Sequence, residues 1–588
     1  MILQALYEYY QRNKEQLPPK GFQIQEIKFV IQIDKNGKFL NLLDKREGKK
    51  GTRFLLPKAI DRTGVNAWRI TNLLWDHYGY VLMHSKDNTD AARNMAQKQQ
   101  KTFRDKIQNM PSEVQKDEGV NAVISFYNSN EWLAVKKHPV WQDCAKIPGC
   151  NLSFQLNSDE CLVPQREIVK KHQASIADNI DEDENDDDVS EQDIKGNIVA
   201  RCLITGDIGA VARKHTPTPI SGSKSNARIV GIQKNSGFDS YNKQQAFNAP
   251  VSNDAEFAYS TALKHLIKSE SNKILISDMT IVFWAQKNER DCNQQYDFES
   301  NFGWYFKSEK DDPDKNIKAV HGLYKAIETG SLPANEGNRF YVLGLAPNAA
   351  RISVRFWKTG TIKEFADKIK QHFDDFNIIH HPNDPEYLSL YQILSATVLD
   401  YKMENVPPNL AGAVISSVLD GKQYPQTLLQ QCIRRIRAEQ HVTRARAAIL
   451  KAYVNRFNRI HHPGQKEVPV SLDVANKDVG YLLGRLFAVL EKVQIQSAGG
   501  EGRLNSTIRD RFYGAFSSSP MTVMPLLLKL KNHHIAKLEN GKIWFEGLVG
   551  EIMDNLNTQK IPAHLTLEQQ AHFAIGYYHQ RQSFFIKK

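Results

Sequence analysis

The sequence contains none of the common residue spacings that mark a catalytic site. A phosphate-binding GxxxxGK[ST] loop is absent, and residues 48–52 and 500–507 match only fragments of one. Neither the GxSxG turn of a serine hydrolase nor the HExxH helix of a zinc protease occurs. The histidine pairs at 380–381, 461–462 and 533–534 lack a pattern of carboxylate ligands, and the first two precede a proline, which is typical of a helix end. We therefore expect a binding or assembly protein and not an enzyme.

The cysteines do not form a recognisable metal or disulfide pattern. Six occur, at 144, 150, 161, 202, 292 and 432, and no two have the CxxC spacing of a zinc knuckle or a redox site. A zinc site built from Cys144, Cys150, Cys161 and Cys202 stays open as an alternative, because distant thiolates can come together in a fold. Our primary prediction is a protein without a metal or another cofactor.

The charge of the chain favours a polyanionic partner. The 588 residues include 77 Lys and Arg against 66 Asp and Glu, which gives a net charge of +11. Ten of the acids lie within residues 178–193, and without those ten the excess of positive charge is 21. Such an excess favours binding to nucleic-acid phosphates. An anionic membrane surface is the weaker alternative, because no single amphipathic helix concentrates the charge.

Residues 178–193 lack aromatic side chains and carry charges that repel one another, so we expect a disordered insertion there. As a hypothesis, this tract mimics nucleic acid and shields a basic groove. Residues 1–14 indicate an amphipathic helix that includes Glu8, and not a secretory signal. No apolar run reaches the length of a membrane span. We expect a cytoplasmic protein.

Two β-hairpins are predicted to position side chains in the first 360 residues. Alternating apolar residues within 22–43 surround the turn Asn36-Gly37, a typical hairpin signal. A buried strand is predicted at 274–285, and residues 339–357 form the second hairpin. On its second strand, one face is expected to carry Arg351, Ser353, Arg355 and Trp357, and the other Ile352, Val354 and Phe356.

Beyond residue 360 nearly every pattern is helical. The predicted fold class is therefore α+β, with mixed α/β amino-terminal and middle regions that contain β-hairpins, followed by a carboxy-terminal α-helical bundle. Four segments are predicted: an α+β domain at 1–175, the acidic insertion at 176–195, a middle α+β domain with a polar DNA-facing loop at 196–400, and the helical bundle at 401–588.

Two segments concentrate positive charge. The loop at 45–53 carries five basic residues against one acid, and its glycines allow it to follow a phosphate backbone. The helical region 434–459 carries eight basic residues, and Glu439 is its single acid, whereas a solvated helix usually mixes both signs. We expect nucleic-acid contacts in both segments. The alternative for each is an ordinary solvated surface.

Several segments occur together in the order of one known family. They are MILQALYEYY (1–10), CLITGD (202–207), GFDSYNKQQAFNAPVS (237–252), AYSTAL (258–263), TIVFWA (280–285), residues 348–357, GRLFA (484–488) and IGYYHQR (575–581). In this order they resemble the large subunit of the type I-C CRISPR surveillance complex (Cascade), of the Dvulg subtype, over essentially the whole chain. The acidic tract departs from the family pattern.

The resemblance implies a non-catalytic subunit that reads the protospacer-adjacent motif in double-stranded target DNA. Such a subunit also promotes unwinding and R-loop formation, stabilises the displaced strand and helps to recruit a helicase-nuclease. The implied partners include the crRNA 5′ handle region, the handle-binding subunit, the backbone filament subunit and small-subunit copies. The resemblance further implies that about 468–588 is also made separately as a small subunit, from a start near Val468 or Val470, or from Met403.

The polar region 196–250 indicates either a flexible linker or a binding surface, and we favour the second. For motif recognition we expect side chains whose hydrogen-bond donors reach into a DNA groove. They are Lys224, Asn226, Lys234, Asn235, Lys243, Gln244, Gln245 and Asn248. The alternative is a loop packed on a neighbouring subunit. For the DNA backbone we expect Lys45, Arg46, Lys49, Lys50, Arg53, Arg434, Arg435, Arg444, Arg446, Lys451, Arg485, Arg509 and Arg511.

Two other functions stay open at this point. The first is a metal-dependent nuclease whose ligands come together only in the fold. The second is a crRNA-binding scaffold that never reads duplex DNA. Divalent-metal-dependent cleavage by the pure chain favours the first function, and loss of crRNA binding with intact DNA binding argues against the second.

Overall fold

The computed structural model describes residues 1–60, 62, 66–85, 87, 89–179, 198–233, 237, 243–286, 296–307, 314–332, 339–557 and 561–585. The chain forms two units, of which unit 1 contains residues 3–216 and 232–262 and unit 2 contains residues 217–231 and 263–588. The predicted boundary at residue 400 falls inside unit 2, and the predicted middle domain is divided between the units. Most of the acidic tract, from residue 180 onward, lies outside the described residues.

The chain up to residue 216 forms small sheets surrounded by helices. Its helices are α1 (Ile2–Arg12), α2 (Tyr78–Leu82), α3 (Asp90–Gln108), α4 (Ser112–Gln115), α5 (Glu118–Asn128), α6 (Trp132–Val135), α7 (Trp141–Ala145) and α8 (Glu167–Asn179). Its strands are β1 (Phe22–Ile27), β2 (Phe29–Ile33), β3 (Phe39–Asp44), β4 (Arg46–Glu47), β5 (Lys50–Pro57), β6 (Trp75–His77), β7 (Asn151–Leu156), β8 (Val199–Arg201) and β9 (Ile208–Ala210). The strand orders are β3-β2-β7-β6, β1-β5-β4 and β8-β9, and the β2–β7 pair is parallel.

The predicted hairpin around Asn36-Gly37 is confirmed, because β2 and β3 pair antiparallel across it. Gly37 has a φ of +82°, and a Cβ there would lie 2.4 Å from the backbone nitrogen of Phe126, so only glycine fits. The alternating residues before this turn form two strands and not one, because the chain is divided at Lys28 and β1 pairs with β5 in a different sheet. Both faces of β2 are buried: Phe29 packs in one cluster, and Val30 packs in another.

Unit 2 combines one antiparallel sheet with a large helical region. The sheet has the order β10-β11-β12-β13, with β10 (Lys273–Ile276), β11 (Met279–Ala285), β12 (Arg339–Asn348) and β13 (Arg351–Thr361). The helices are α9 (Asn253–Lys268), which both units share, α10 (Phe298–Phe302), α11 (Asp314–Glu328), α12 (Ile362–Phe376), α13 (Leu390–Ser395), α14 (Leu410–Asp420), α15 (Gln426–Glu439), α16 (Arg444–His461), α17 (Val479–Ser497), α18 (Ile508–Phe516), α19 (Pro520–Ala536), α20 (Lys542–Asn557) and α21 (Leu567–Ser583).

One hydrophobic core continues from the sheet into the helices, from Ile274 to Tyr578. The α+β fold class is confirmed. Across the described ranges, no helix is both long enough and apolar enough for a membrane crossing.

The alternation predicted along β13 is interrupted by a β-bulge. Gly344 pairs with Phe356 and Leu345 pairs with Val354, which leaves Arg355 without an opposite residue. Phe356 is buried, whereas Val354 is 41% exposed. The two were expected to share a strand face, but the extra residue between them shifts the period of two by one position.

Helices α17 and α21 touch through their backbones. A Cβ at Gly484 would lie 2.0 Å from the carbonyl oxygen of Phe573, and one at Gly576 would lie 2.2 Å from that of Tyr481. The separation of the two helices at this point is therefore set by glycine, and any larger residue forces them apart. The motifs GRLFA and IGYYHQR, which are nearly 90 residues apart in the sequence, meet in this contact.

Replacing Gly484 with alanine is expected to destabilise unit 2. The added methyl group overlaps a carbonyl on α21 that cannot turn away, and such overpacking costs about 1–3 kcal/mol. Urea denaturation of the full chain, followed by circular dichroism, measures the loss. Gly547→Ala on α20 is the matched control, because a Cβ at that position has nothing within 4 Å. The control should be neutral or stabilising by about 0.5–1 kcal/mol. Equal denaturation midpoints for the two variants would contradict the contact.

Candidate nucleic-acid interface

The loop at 217–231 lies along the turn between β12 and β13. The backbone N–H of Lys224 donates to the carbonyl of Ala349 at 3.2 Å, and that of Ile352 donates to the carbonyl of Arg228 at 3.1 Å. The loop is closed on itself by the N–H of Thr218, which donates to the carbonyl of Ala227 at 2.8 Å. Two segments separated by more than 100 residues are thus held together by main-chain hydrogen bonds, and side-chain substitutions leave these bonds in place.

The surface made by these two segments is positively charged. Neither 217–231 nor 345–357 contains an Asp or a Glu. Lys224, Arg351 and Arg355 are exposed, and Asn226 is half-buried beside them in the sequence. The β-bulge at Arg355 is one of the irregularities that often redirect a side chain at a functional surface. We name the surface of Lys224, Asn226, Arg351 and Arg355 the loop–hairpin surface.

The arginines of this surface were not assigned a role from the sequence. Arg351 and Arg355 were expected to share a strand face, but nothing in their local pattern connected them with the polar loop. A signal was present, since both segments are rich in polar residues and free of acids. Without the fold, that signal does not show that the two segments are neighbours.

The structure does not group the other predicted motif-reading residues with the loop–hairpin surface in one unit. Lys234 and Asn235 are outside the described residues, and Lys243, Gln244, Gln245 and Asn248 belong to unit 1. Lys243 is exposed and Gln244 is half-buried, so both stay predictions. Gln245 is buried, and its Oε1 accepts a hydrogen bond from Nε of Arg213 at 2.9 Å. The prediction for Gln245 is corrected, because its side chain holds a buried arginine.

Asn248 also has a local structural role. Its Nδ2 donates to the carbonyls of Lys243 at 2.8 Å and of Gln245 at 3.1 Å. These bonds close the 3-10 turn over Gln245–Asn248. The side-chain amide that was expected to read a base edge is therefore engaged within its own turn.

The predicted basic loop at 45–53 is a short hairpin of β4 and β5. Lys49, Lys50 and Arg53 are exposed, and Lys45 is half-buried. Arg46 differs, because its guanidinium contacts the Asp44 carboxylate at 2.5 Å and lies over the Phe29 ring at 4.8 Å. The loop retains several exposed cations for phosphate contact, and Arg46 helps to hold the hairpin.

Three residues predicted to contact the DNA backbone are buried instead. Arg446 is fully buried and donates to the carbonyls of Ala396 and His441, each at 2.9 Å. Lys451 is buried, and its Nζ donates to the carbonyl of Asp375 at 3.1 Å.

Arg485, the third of these residues, is also fully buried. Its guanidinium donates to the side-chain oxygens of Gln580 and Glu551, each at 3.0 Å. A phosphate cannot reach these three groups in this fold, so the predictions for Arg446, Lys451 and Arg485 were wrong.

A buried carboxylate pairs with two of the arginines in the basic region 434–459. Asp375 on α12 is 1% exposed and pairs with Arg456 at 2.6 Å and with Arg459 at 2.9 Å. Arg459 also pairs with Glu467 at 2.7 Å, and Arg456 lies over the Tyr424 ring at 4.2 Å. The region has only Glu439 as an acid of its own, and the other ionic partners named here come from other segments. Its internal ion pairs are structural.

The remaining predicted cations differ in their availability. Arg435 pairs with Glu439 at 2.8 Å, Arg444 donates to the carbonyl of Glu386 at 2.9 Å, and Arg509 lies 3.7 Å from Glu491. Arg434 and Arg511 are exposed, as is Arg437, which the basic region also contains. A proposed contact with an unpaired strand therefore rests on these three exposed arginines.

No three His, Cys, Asp or Glu side chains in the described part of the chain form a group that could hold a metal ion. Cys144 and Cys150 are buried next to each other, and the hydrogen bond between their sulfurs raises the pKa of Cys144 and lowers that of Cys150. Cys161 is exposed.

A family model described as CRISPR-associated protein (Cas_Csd1) matches residues 6–585. The chain belongs to this family. The match covers nearly the whole chain and confirms the predicted resemblance to the Cascade large subunit. No curated protein matches the chain.

One motif of this CRISPR-associated chain, CLITGD, forms a structural turn. Cys202 is buried where β8 ends, and its Sγ accepts hydrogen bonds from the backbone N–H groups of Ile204 at 3.4 Å and Ser252 at 3.3 Å. Burial alone would raise the pKa of Cys202, but these hydrogen bonds outweigh it and lower the pKa to about 7. The motif fixes the β8–β9 hairpin against the segment that begins α9.

Removal of the Asp375 carboxylate is expected to destabilise unit 2 strongly. In Asp375→Ala, Arg456 stays buried without its ionic partner, and breaking such a pair costs about 3–5 kcal/mol. Chemical denaturation of the full chain measures this cost. Asp367→Ala on the same helix is the control, because Asp367 is exposed and its loss should change stability by about 0.5 kcal/mol or less. A loss equally small in both variants would show that the buried pair is not needed.

Proposed function

We propose that this chain is the non-catalytic large subunit of a type I-C crRNA-guided surveillance complex and reads the protospacer-adjacent motif through the loop–hairpin surface. The observation that supports this proposal is the acid-free pairing of the 217–231 loop with the β12–β13 turn. Guide pairing supplies the long sequence specificity in such complexes, and the protein needs to read only a short motif and the DNA backbone.

The chemistry of the surface divides into two roles. Lys224, Arg351 and Arg355 carry exposed cations that neutralise phosphates, and such contacts set register without reading sequence. Asn226 carries an amide, which can donate to and accept from a base edge in a geometry that depends on the base. Gly222, with a φ of +79°, lets the loop turn beside Pro347. We assign motif readout to Asn226 and backbone attraction to the three cations.

The helical region of unit 2 is proposed to stabilise the displaced strand through Arg434, Arg437 and Arg511. The proposed partners are target DNA, the crRNA 5′ handle region, the handle-binding and filament subunits, small-subunit copies and the helicase-nuclease. A separate small subunit that starts near Val468 or Val470 would begin where Asn455 holds both the N–H and the carbonyl of Val468, at 2.8 and 2.9 Å. Amino-terminal sequencing of any short co-purifying product tests this start.

Alanine at Asn226 is expected to reduce the preference for one short flanking motif. The measurement is binding of the reconstituted crRNA complex, with and without this chain, to duplexes that carry a full target and a randomised flank. Loss of an amide contact to a base edge should lower discrimination by about 1–3 kcal/mol. Lys224→Ala and Arg351→Ala should weaken binding to every flank alike. Each should also reduce the salt slope, which is the slope of log affinity against log salt concentration, by about one.

The control for these variants is Lys318→Ala, which removes an exposed lysine from α11 in the same unit. This change should leave both the flank preference and the salt slope as they are. If Asn226→Ala retains the full preference, motif reading does not belong to this loop. If the complete chain raises affinity equally for every flank, it acts as an electrostatic clamp and the proposal fails.

A further inference from the structure

Unit 1 contains a polar cavity that the proposed function does not use. Its volume is about 420 Å³. It lies between α3 on one side and residues 67–71 on the other. A second cavity of about 320 Å³ adjoins it and shares Ile60, Lys106 and Asn109 as lining residues. Both volumes fall within the range of about 300–1,000 Å³ that small-molecule sites occupy.

One face of α3 supplies much of the polar lining. Thr102, Asp105 and Lys106 of α3 and Asn109, which directly follows the helix, recur at helical spacing and all line the first cavity. Lys106 is half-buried, and its Nζ donates to the carbonyl of Thr71 at 2.7 Å. This hydrogen bond fixes the ammonium group at the cavity wall and leaves it two further donors.

The opposite wall adds a second cation. Arg69 lines the cavity and is exposed, and its guanidinium lies over the Trp68 ring at 5.2 Å. Lys98, one helical turn before Thr102, lies over the same ring at 5.3 Å. The same indole therefore contacts two cations, of which Arg69 lines the cavity. Among the described residues that line the first cavity, the single acid is Asp105, which is itself exposed.

We propose that this cavity binds one unpaired nucleotide of a nucleic-acid strand, with its phosphate between Arg69 and Lys106. The two cations provide charge-assisted hydrogen bonds to phosphate oxygens. Thr102 and Asn109 provide hydrogen bonds for the sugar or the base, and Ile60 and Ile70 provide an apolar wall. A nucleotide paired in a duplex cannot enter a recess of this kind, so the ligand is part of a single strand. This site goes beyond the loop–hairpin surface and does not depend on it.

The protonation of Lys106 gives a second readout for the site. Burial lowers its pKa to about 8. The protonated form is the one that attracts phosphate, so binding should weaken as the pH rises from 7 to 9. The other charged or titratable groups that face it or line the two cavities are Lys58, Arg62, Arg69, Asp76, Asp105 and His172. Arg62 and Asp76 form an ion pair with each other, and burial lowers the pKa of His172.

The test measures binding of fluorescein-labelled uridine and thymidine trinucleotides to the full chain by fluorescence anisotropy. These probes are too short to follow an extended basic groove. Arg69→Ala and Lys106→Gln should each weaken binding about tenfold or more, since each removes a charge-assisted hydrogen bond. Comparison of the two probes shows whether the site prefers RNA or DNA. Lys106→Arg should keep binding at pH 7 and remove the weakening between pH 7 and 9.

Lys137→Ala is the control, because Lys137 is an exposed lysine of unit 1 that does not line either cavity. It should change the affinity by less than about twofold. Arg69→Ala removes an exposed side chain, so it tests the site even if a variant at Lys106 fails to fold. Unchanged affinity in Arg69→Ala, or equal displacement of the probe by inorganic phosphate and by uridine monophosphate, would overturn the proposal. Arg69→Ala should also retain the flank preference of the complex, which separates this site from the motif-reading surface.

Discussion

The backbone contact between α17 and α21 is the constraint on which the carboxy-terminal part of unit 2 depends. Gly484 lets α21 approach to contact distance, and it lies in a stretch of α17 in which every residue from Gly480 to Glu491 is buried. Arg485 is accordingly fully buried, and it requires the side-chain oxygens of Gln580 and Glu551 as partners. A basic residue next to a close helix crossing thus becomes part of the packing, and its charge is compensated inside the fold.

The same reasoning applies to the central helix α16. Residues 446–456 are buried without interruption, although they include two arginines and a lysine. Each of these cations is satisfied by a carbonyl or a carboxylate from a distant segment, and Asp375 alone accepts two arginines. The positive charge of the chain is therefore of two kinds. One part is neutralised in the core, and the other part stays exposed on segments that contain few acids or none.

The sequence was sufficient to predict features that depend on local signals, and insufficient to predict burial that depends on distant segments. The turn at Asn36-Gly37 and the β12–β13 hairpin could be predicted because their signals are local, and the whole-chain family match followed from the order of short motifs. The burial of Arg446 could not be predicted, because its hydrogen-bond partners at Ala396 and His441 become its neighbours only in the fold. The run AAILKAYV, in which Lys451 is the single charged residue, was a missed sign that α16 is a core helix.

The two exposed basic regions differ in how their backbones are built, and this difference is the basis of the two kinds of DNA contact that we propose. In the β4–β5 hairpin, Gly48 has a φ of +65°, a Cβ at that position would have nothing within 4 Å, and the neighbouring Lys49 and Lys50 are exposed. Such groups attract phosphates without selecting a sequence. In the 217–231 loop, main-chain bonds to Ala349 and Ile352 fix the backbone on both sides of Asn226. An amide can discriminate between bases only when its position is fixed before binding, because ordering it during binding costs free energy. The loop in unit 2 meets that requirement, which is why we assign readout to it and attraction to the hairpin.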